Sequence, residues 1–493
     1  MKPRVVIFVM FALCAARGAS AQYVPIDLGT LGGTISSAAA VNESGQVVGD
    51  SFTAGNAELH AFSWTADGGM VDLGTLGGNS SHAVAVNESG QVVGDIYPAG
   101  NNGATHAFSW TATGGMVDLG TLGGIYSTAV GVSASGQVAG TSSTAGDAEI
   151  HAFLWTADQG MVDLGTLGGP ASMATDVSAS GQVVGYAMTD PNNTGITHAF
   201  SWTADGGMVD LGTRLDGLSF ARRVSDSGQV VGDSFINGVT ANRVFSWTPS
   251  GGMVDVGNLG SSASPTAVNE TGQVVGYSYT GNVELHAFSW TAGHGMVDLG
   301  TLGGTQSTAS AVNSTGQVVG WSTTAGDALT HAFSWTAAGG MVGLPELAVG
   351  GSGAAVDVNN HGQVVGSSAG HATMWVPPLS VCTLTLGYTA GTLKLGFTLQ
   401  SVAPTTWSSW VVGSFGVVNL WSIPIPVVSP AVSLSVPIPN VPPMGPIGVL
   451  TVLSTPAQGV MCFDWKIVDT GGAGVAVQDL ESTGVRAWAL GVP

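Results

Sequence analysis

A unit of about forty-five residues recurs eight times along this chain, and each copy is built on the same two anchors. One is Gly-Gln-Val-Val-Gly, whose glutamine stands at Gln46, Gln91, Gln137, Gln182, Gln229, Gln273, Gln317 and Gln363. The other is His-Ala-Phe-Ser-Trp, whose tryptophan stands at Trp64, Trp110, Trp155, Trp202, Trp247, Trp290, Trp335 and Trp375. Successive tryptophans are 46, 45, 47, 45, 43, 45 and 40 residues apart. A period in this range belongs to propellers and other repeat architectures. It restricts the fold far more than it restricts the chemistry.

The unit that starts at Ser81 reads as four strands. Ala83 to Asn87 is short, small and β-branched, and Glu88-Ser89-Gly90 is a tight turn with Gly90 free to take positive φ. Gln91 to Gly94 returns as the second strand, and a polar loop runs from Asp95 to Thr105. His106 to Thr111 is the third strand, with His106, Phe108 and Trp110 two apart and therefore on one face. Met116 to Gly120 is the fourth. Nothing in the unit has helical spacing. Four short strands per unit match one propeller blade. First strands would crowd a central axis, which suits the small residues Ala39, Ala40, Ala83, Ala85, Ala309 and Ala311.

The last unit lacks a fourth strand, because Val376-Pro377-Pro378 follows its aromatic strand. An unpaired copy of that strand, Val24 to Gly29, stands near the start of the chain. Docking it on the last unit leaves no orphan and covers a free sheet edge. The prediction is an all-β protein: an eight-bladed β-propeller over residues 22–376, closed by an N-terminal strand, and a C-terminal β-sandwich over 377–493. An open solenoid is the competing architecture. In the second segment the repeat disappears, Thr383 to Leu386 and Thr392 to Leu395 alternate, and Pro424 to Pro446 reads as an extended edge or loop. Trp407, Trp410, Trp421 and Trp465 are candidates for its core.

Residues 1–21 read as a secretory leader. Lys2 and Arg4 precede an apolar stretch too short to span a bilayer, and Ala19-Ser20-Ala21 is a small-residue cleavage site. The expected location is extracellular. Two cysteines then remain, Cys382 and Cys462, and in an exported chain they are most simply a disulfide. The net charge of −21 becomes about −24 once Lys2, Arg4 and Arg17 are removed. Such a surface repels nucleic acid and anionic lipid. No membrane insertion is expected.

The strand His-Ala-Phe-Ser-Trp followed by Gly-Met-Val-Asp-Leu-Gly-Thr-Leu-Gly-Gly resembles the bacterial extracellular HAF-repeat family across roughly residues 23–376. The resemblance implies an exported bacterial protein and brings no catalytic residues with it. The fifth unit departs by placing Arg243 in the histidine slot, the eighth by placing Thr373 in the phenylalanine slot, and the seventh by reading Gly343-Leu344 for Asp-Leu.

His60, His106, His151, His198, His286, His331 and His371 hold one strand position, which points to a structural duty in every unit, such as a hydrogen bond to Asp72 or Asp118. The tryptophans belong to the same structural repeat. Metal binding is the alternative, since Glu58, Glu149 and Glu284 lie two residues before their histidines. The Gly-Thr-Leu-Gly-Gly segments read as turns, because no helix follows to hold phosphate. Asn42-Glu43-Ser44, Asn87-Glu88-Ser89 and Asn269-Glu270-Thr271 match glycosylation sequons but also suit a hairpin turn.

No nucleophile–base–acid motif is present. The anomaly is basic: Arg214, Arg222, Arg223 and Arg243 cluster in a chain poor in cations. Arg222 and Arg223 replace the alanines of the first strand, and Asp176 and Asp357 hold the slot of Arg223 in their own units. Arg222, Arg223, Asp176, Asp357 and Arg243 are therefore candidate ligand contacts. An ion pair between units, such as Asp176 with Arg223, is the structural alternative. The functional expectation is a non-enzymatic binding or scaffolding module for an extracellular protein or carbohydrate, without cofactor or metal. An enzyme acting on extracellular polysaccharide is the second reading.

Overall fold

The structure, a computed structural model, describes residues 23–377 apart from 99–102, 193–194, 214–216, 236–240 and 282–283, and then the backbone of eight strands between Cys382 and Asp479. The expected leader and Arg214 lie outside the described residues. Two compact bodies form, one of which is Tyr23–Val376.

The described chain is all-β, broken only by single 3-10 turns at Ala54–Asn56, Ala145–Asp147 and Ala325–Asp327. Within Tyr23–Val376 each of the first seven repeats is an antiparallel, propeller-like meander of four strands in chain order, and the eighth supplies three. In the second unit these are Ser80–Val86, Val92–Tyr97, His106–Thr111 and Gly115–Asp118. Every first strand carries a bulge at one place, as between Ala83 and Ala85, which sharpens its local twist. The glycine of Val-Val-Gly sits beside that bulge, and a Cβ on Gly94 would lie 1.8 Å from the His82 carbonyl oxygen. Only glycine lets the two strands approach so closely.

The core lies between units. Phe108 is fully buried among Val48, Ala61 and Leu73 of the preceding unit and Ala83, Val92 and Ile96 of its own. Burying one such ring contributes roughly 2–3 kcal/mol. Hydrogen bonds join the units as well. The fourth strand peels away after Asp72, so the Ala61 N–H has no partner in its own sheet. Ser81 Oγ of the next unit accepts it at 2.9 Å and donates to the Gly74 carbonyl at 2.7 Å. The same staple recurs at Ser127, Ser172, Ser219 and Ser307.

Val24–Asp27 pairs antiparallel with His371–Val376, Ile26 opposite Met374. Ser36 makes the staple across this seam, accepting from Ala372 and donating to Gly29. The Asn359 side-chain amide donates to the Asn42 carbonyl at 3.0 Å, as Asn42 does to Asn87 and Asn313 to Asn359. Each first strand lies beside the first strand of the next unit, and Gly353–Val358 lies beside Gly32–Val41.

One expectation needs correction. The last two glycines of Gly-Thr-Leu-Gly-Gly belong to the strand in three units, giving ten-residue first strands at Gly32–Val41, Gly123–Val132 and Gly303–Val312. Side chains from the 3-10 turns cause the extension. Asn56, Asp147 and Asp327 accept the backbone N–H groups of Thr34, Ile125 and Thr305 and hold the incoming chain alongside.

In the second body, Cys382–Thr389, Thr392–Leu399 and Val432–Ile438 form one antiparallel sheet. Gly416–Ile425, Thr405–Gly413, Pro446–Thr455, Gly459–Asp469 and Val477–Asp479 form another. Pro437 and Pro424 fall in edge strands of these sheets, where a missing N–H breaks no ladder. The side chains of Cys382, Cys462 and the four candidate core tryptophans lie outside the described residues.

Candidate functional site

The repeated histidines face the aspartates of the fourth strand. His60 Nδ1 lies 2.9 Å from the Asp72 carboxylate, and His106, His151, His198 and His286 meet Asp118, Asp163, Asp210 and Asp298 in the same way. The carboxylate accepts, so Nδ1 carries the proton. Asp72 also accepts the N–H of Gly74 at 2.8 Å, fixing the exit of its strand. His371 finds Asp27 of the N-terminal strand at 2.9 Å. Arg243 takes over the histidine's duty, its Nη1 2.6 Å from Asp255. On the far side of the ring, Glu58 and Glu149 approach the Nε2 of His60 and His151 at 3.1 and 3.3 Å, and Glu284 stands 3.9 Å from that of His286.

In the seventh unit Gly343 supplies no carboxylate, and the buried His331 Nε2 has no protein partner. The eighth unit has Gly353 in place of the staple serine. Glu346 fills that space: its carboxylate accepts from Ala332 and from Ser368, and burial holds its pKa above the ordinary range. Seven tryptophans of the repeat are half-buried. Trp375 is fully buried and donates to the Pro345 carbonyl at 2.7 Å.

The first strands hold the other ionisable groups. Asp176 accepts the backbone N–H groups of Val177 and, from the next unit, Val224, at 2.9 and 3.0 Å. Asp357 does the same for Val358 and for Val41 across the seam, at 2.8 and 3.0 Å. Burial raises both carboxyl pKa values. In place of the expected Asp176–Arg223 ion pair, Asp176 spends its oxygens on backbone amides and feels Arg223 only through its field. Arg222 pairs instead within its own unit. Its Nε donates to Asp233 at 2.7 Å, and its guanidinium lies 5.6 Å from the centre of the Phe220 ring. Asp233 is 1% exposed, and burial raises its pKa against the pull of Arg222. Arg223 is exposed and donates to the Arg222 carbonyl.

Sequence reasoning missed a second cluster. Asp50 lies 3.1 Å from His82 Nδ1 and accepts the Ala83 N–H, while Asp95 accepts the Ala129 N–H of the third unit. The bond to Asp50 raises the pKa of His82, and burial pushes Asp95 up to about 6. A signal was present. The residue after Val-Val-Gly is aspartate only at Asp50, Asp95 and Asp233, and His82 lies outside the repeated histidine slot. Among the described residues, no three His, Cys, Asp or Glu side chains converge as metal ligands would. No described helix is long and apolar enough to cross a membrane.

No family model matches the sequence. No curated protein matches it either. Among solved structures, the chain is similar to TolB from Acinetobacter baumannii, at 12% identity and a TM-score of 0.33 over 54% of this chain and 63% of that one. It is similar to dipeptidyl peptidase 4 from Porphyromonas gingivalis, at 10% identity and a TM-score of 0.48 over 76% of this chain and 65% of that one. It thus spans just under two thirds of the length of each. A third likeness is to the β-propeller domain of the trilobed protease from Pyrococcus furiosus, described as having an open velcro topology, at 8% identity and a TM-score of 0.40 over 60% of this chain and 94% of that one.

Proposed function

We propose that this chain is an exported member of the HAF-repeat family that works as a non-enzymatic binding or scaffolding module for an extracellular protein or carbohydrate. Residues 22–376 form an eight-bladed propeller closed by the N-terminal strand, and residues 377–493 form a β-sandwich. The closed ring is supported by the Val24–Asp27 pairing and by the Asn359–Asn42 bond across the same seam. The sandwich is supported by the two antiparallel sheets beyond Pro377.

One observation carries the non-enzymatic reading. The carboxylates of the first two strands are committed to assembly. Asp50, Asp95, Asp176 and Asp357 each hold a backbone N–H of the next unit, and Asp233 holds Arg222 and Ser264. A group engaged in this way is a poor nucleophile or proton shuttle. A rigid scaffold with variable rim loops suits recognition. The second reading, hydrolysis or lysis of a polysaccharide, draws on Asp95 alone, whose pKa near 6 suits a general acid.

The test is a glycan array and an extracellular-protein panel probed with purified residues 22–493, followed by assay of any bound polysaccharide for new reducing ends at pH 5–7. Saturable binding without product is the expected result. Release of reducing ends would replace it with the enzyme reading, and absence of saturable binding on both panels would remove it.

A further inference from the structure

We propose that an open cleft formed by the second, third and fourth units binds a neutral saccharide chain. This deepens the binding role proposed above and rests on it. The cleft has a volume of about 910 Å³, within the range of small-molecule sites. Trp155 and Trp202 line it, and both are half-buried because one side packs on the hydrophobic core between units.

The repeat changes where this cleft lies. In the other complete copies of the motif the glutamine amide donates to the serine of His-Ala-Phe-Ser-Trp, as Gln91 does to Ser109 at 2.9 Å and Gln182 to Ser201 at 2.9 Å. The third unit has Leu154 in that slot. Leu154 is 6% exposed and packs into the core, so Gln137, which lines the cleft as Gln91 does, has no serine to receive its amide. Gln159 stands where most units carry glycine, as at Gly68, Gly114 and Gly206, and lines the cleft too. Two substitutions in one unit therefore leave the Gln137 amide without its usual acceptor and add the Gln159 amide, both on a cleft lined by two indoles.

Half-exposed indoles stack on the C–H face of a sugar ring, and neutral amides exchange hydrogen bonds with its hydroxyls. No cation lines the cleft. The net charge of −21 disfavours an acidic polysaccharide. The chemistry that fits is a neutral oligosaccharide lying across two adjacent units.

The test is calorimetric titration of the full mature chain with cellohexaose, mannohexaose and chitohexaose. Saturable binding of at least one is expected. Leu154 faces Ala139 across the strand pair where other units set valine against serine, so a variant carrying Ala139→Val, Leu154→Ser and Gln159→Gly restores the repeat's own residues, which the fold accepts in its other units. It should keep or raise the melting temperature and weaken binding at least about tenfold. If that variant misfolds, Gln137→Ala alone should weaken binding in the same direction. Unchanged affinity in a folded variant would overturn the cleft while leaving saccharide binding elsewhere intact. Failure of all three probes, with binding found on the protein panel, would overturn the saccharide assignment but not the binding role. Failure on every panel would remove both.

Discussion

Arg222 and Arg223 are sequence neighbours with opposite duties. Arg222 neutralises Asp233, which is 1% exposed, whereas Arg223 reaches into solvent. Removing one partner of a buried pair leaves an uncompensated charge and costs about 3–5 kcal/mol. Because Arg222 is itself 40% exposed, the lower end applies, and Arg222→Ala should lose roughly 3 kcal/mol in urea unfolding. Arg223→Ala should stay within about 0.5 kcal/mol. Equal losses from the two variants would show that the pairing is misassigned. Both arginines were visible in the sequence because they interrupt a run of small residues. Their partners were not, since the bulge between Ala221 and Arg223 decides which face each side chain takes, and a bulge leaves little trace in composition. Asp50, His82 and Asp95 escaped for a related reason. Each departs from the repeat in its own unit, but the contacts that join them form only across units.

At the level of strands, periodicity of two and paired glycine turns made four elements per repeat legible. The long first strands were less so, because their extra residues depend on Asn56, Asp147 and Asp327 arriving 22 positions later. The outlying strand Val24–Asp27 was recognisable by its likeness to Gly69–Asp72. Its removal is informative. Deleting residues 23–29 takes away buried Leu28, the Tyr23 ring packed beside Trp375, and the Asp27–His371 bond. The expected loss is on the order of 5 kcal/mol, read as a lower urea midpoint together with new self-association on size exclusion. A deletion variant as stable and as monodisperse as the parent would mean that the strand is decorative.

Across the whole molecule, the burial of acids favours mild acidity. Asp95, Asp176, Asp233, Asp357 and Glu346 all have folded pKa values raised by burial. A raised carboxyl binds its proton more tightly when folded, so its contribution is complete below the unfolded value and fades as pH rises through the folded one. For Asp95 that window runs from its ordinary 3.8 to about 6. His82, raised by Asp50, loses its contribution above its ordinary 6.5. Asp147 and Asp327 are lowered by hydrogen bonds and oppose this only as pH falls below the usual carboxylate range. Stability should therefore be greater at pH 5 than at pH 7.5. Asp95→Asn should shrink the difference by roughly 1.4 kcal/mol, since about one pH unit of its window lies above pH 5, measured by urea titration at both values. A profile rising toward pH 7.5 would contradict the assignment. The seam at Asp27 and His371 also sets a schedule. During synthesis the opening strand has no partner until the final repeat emerges, some 340 residues later, so a nascent chain carries two unmatched edges until its last step of closure.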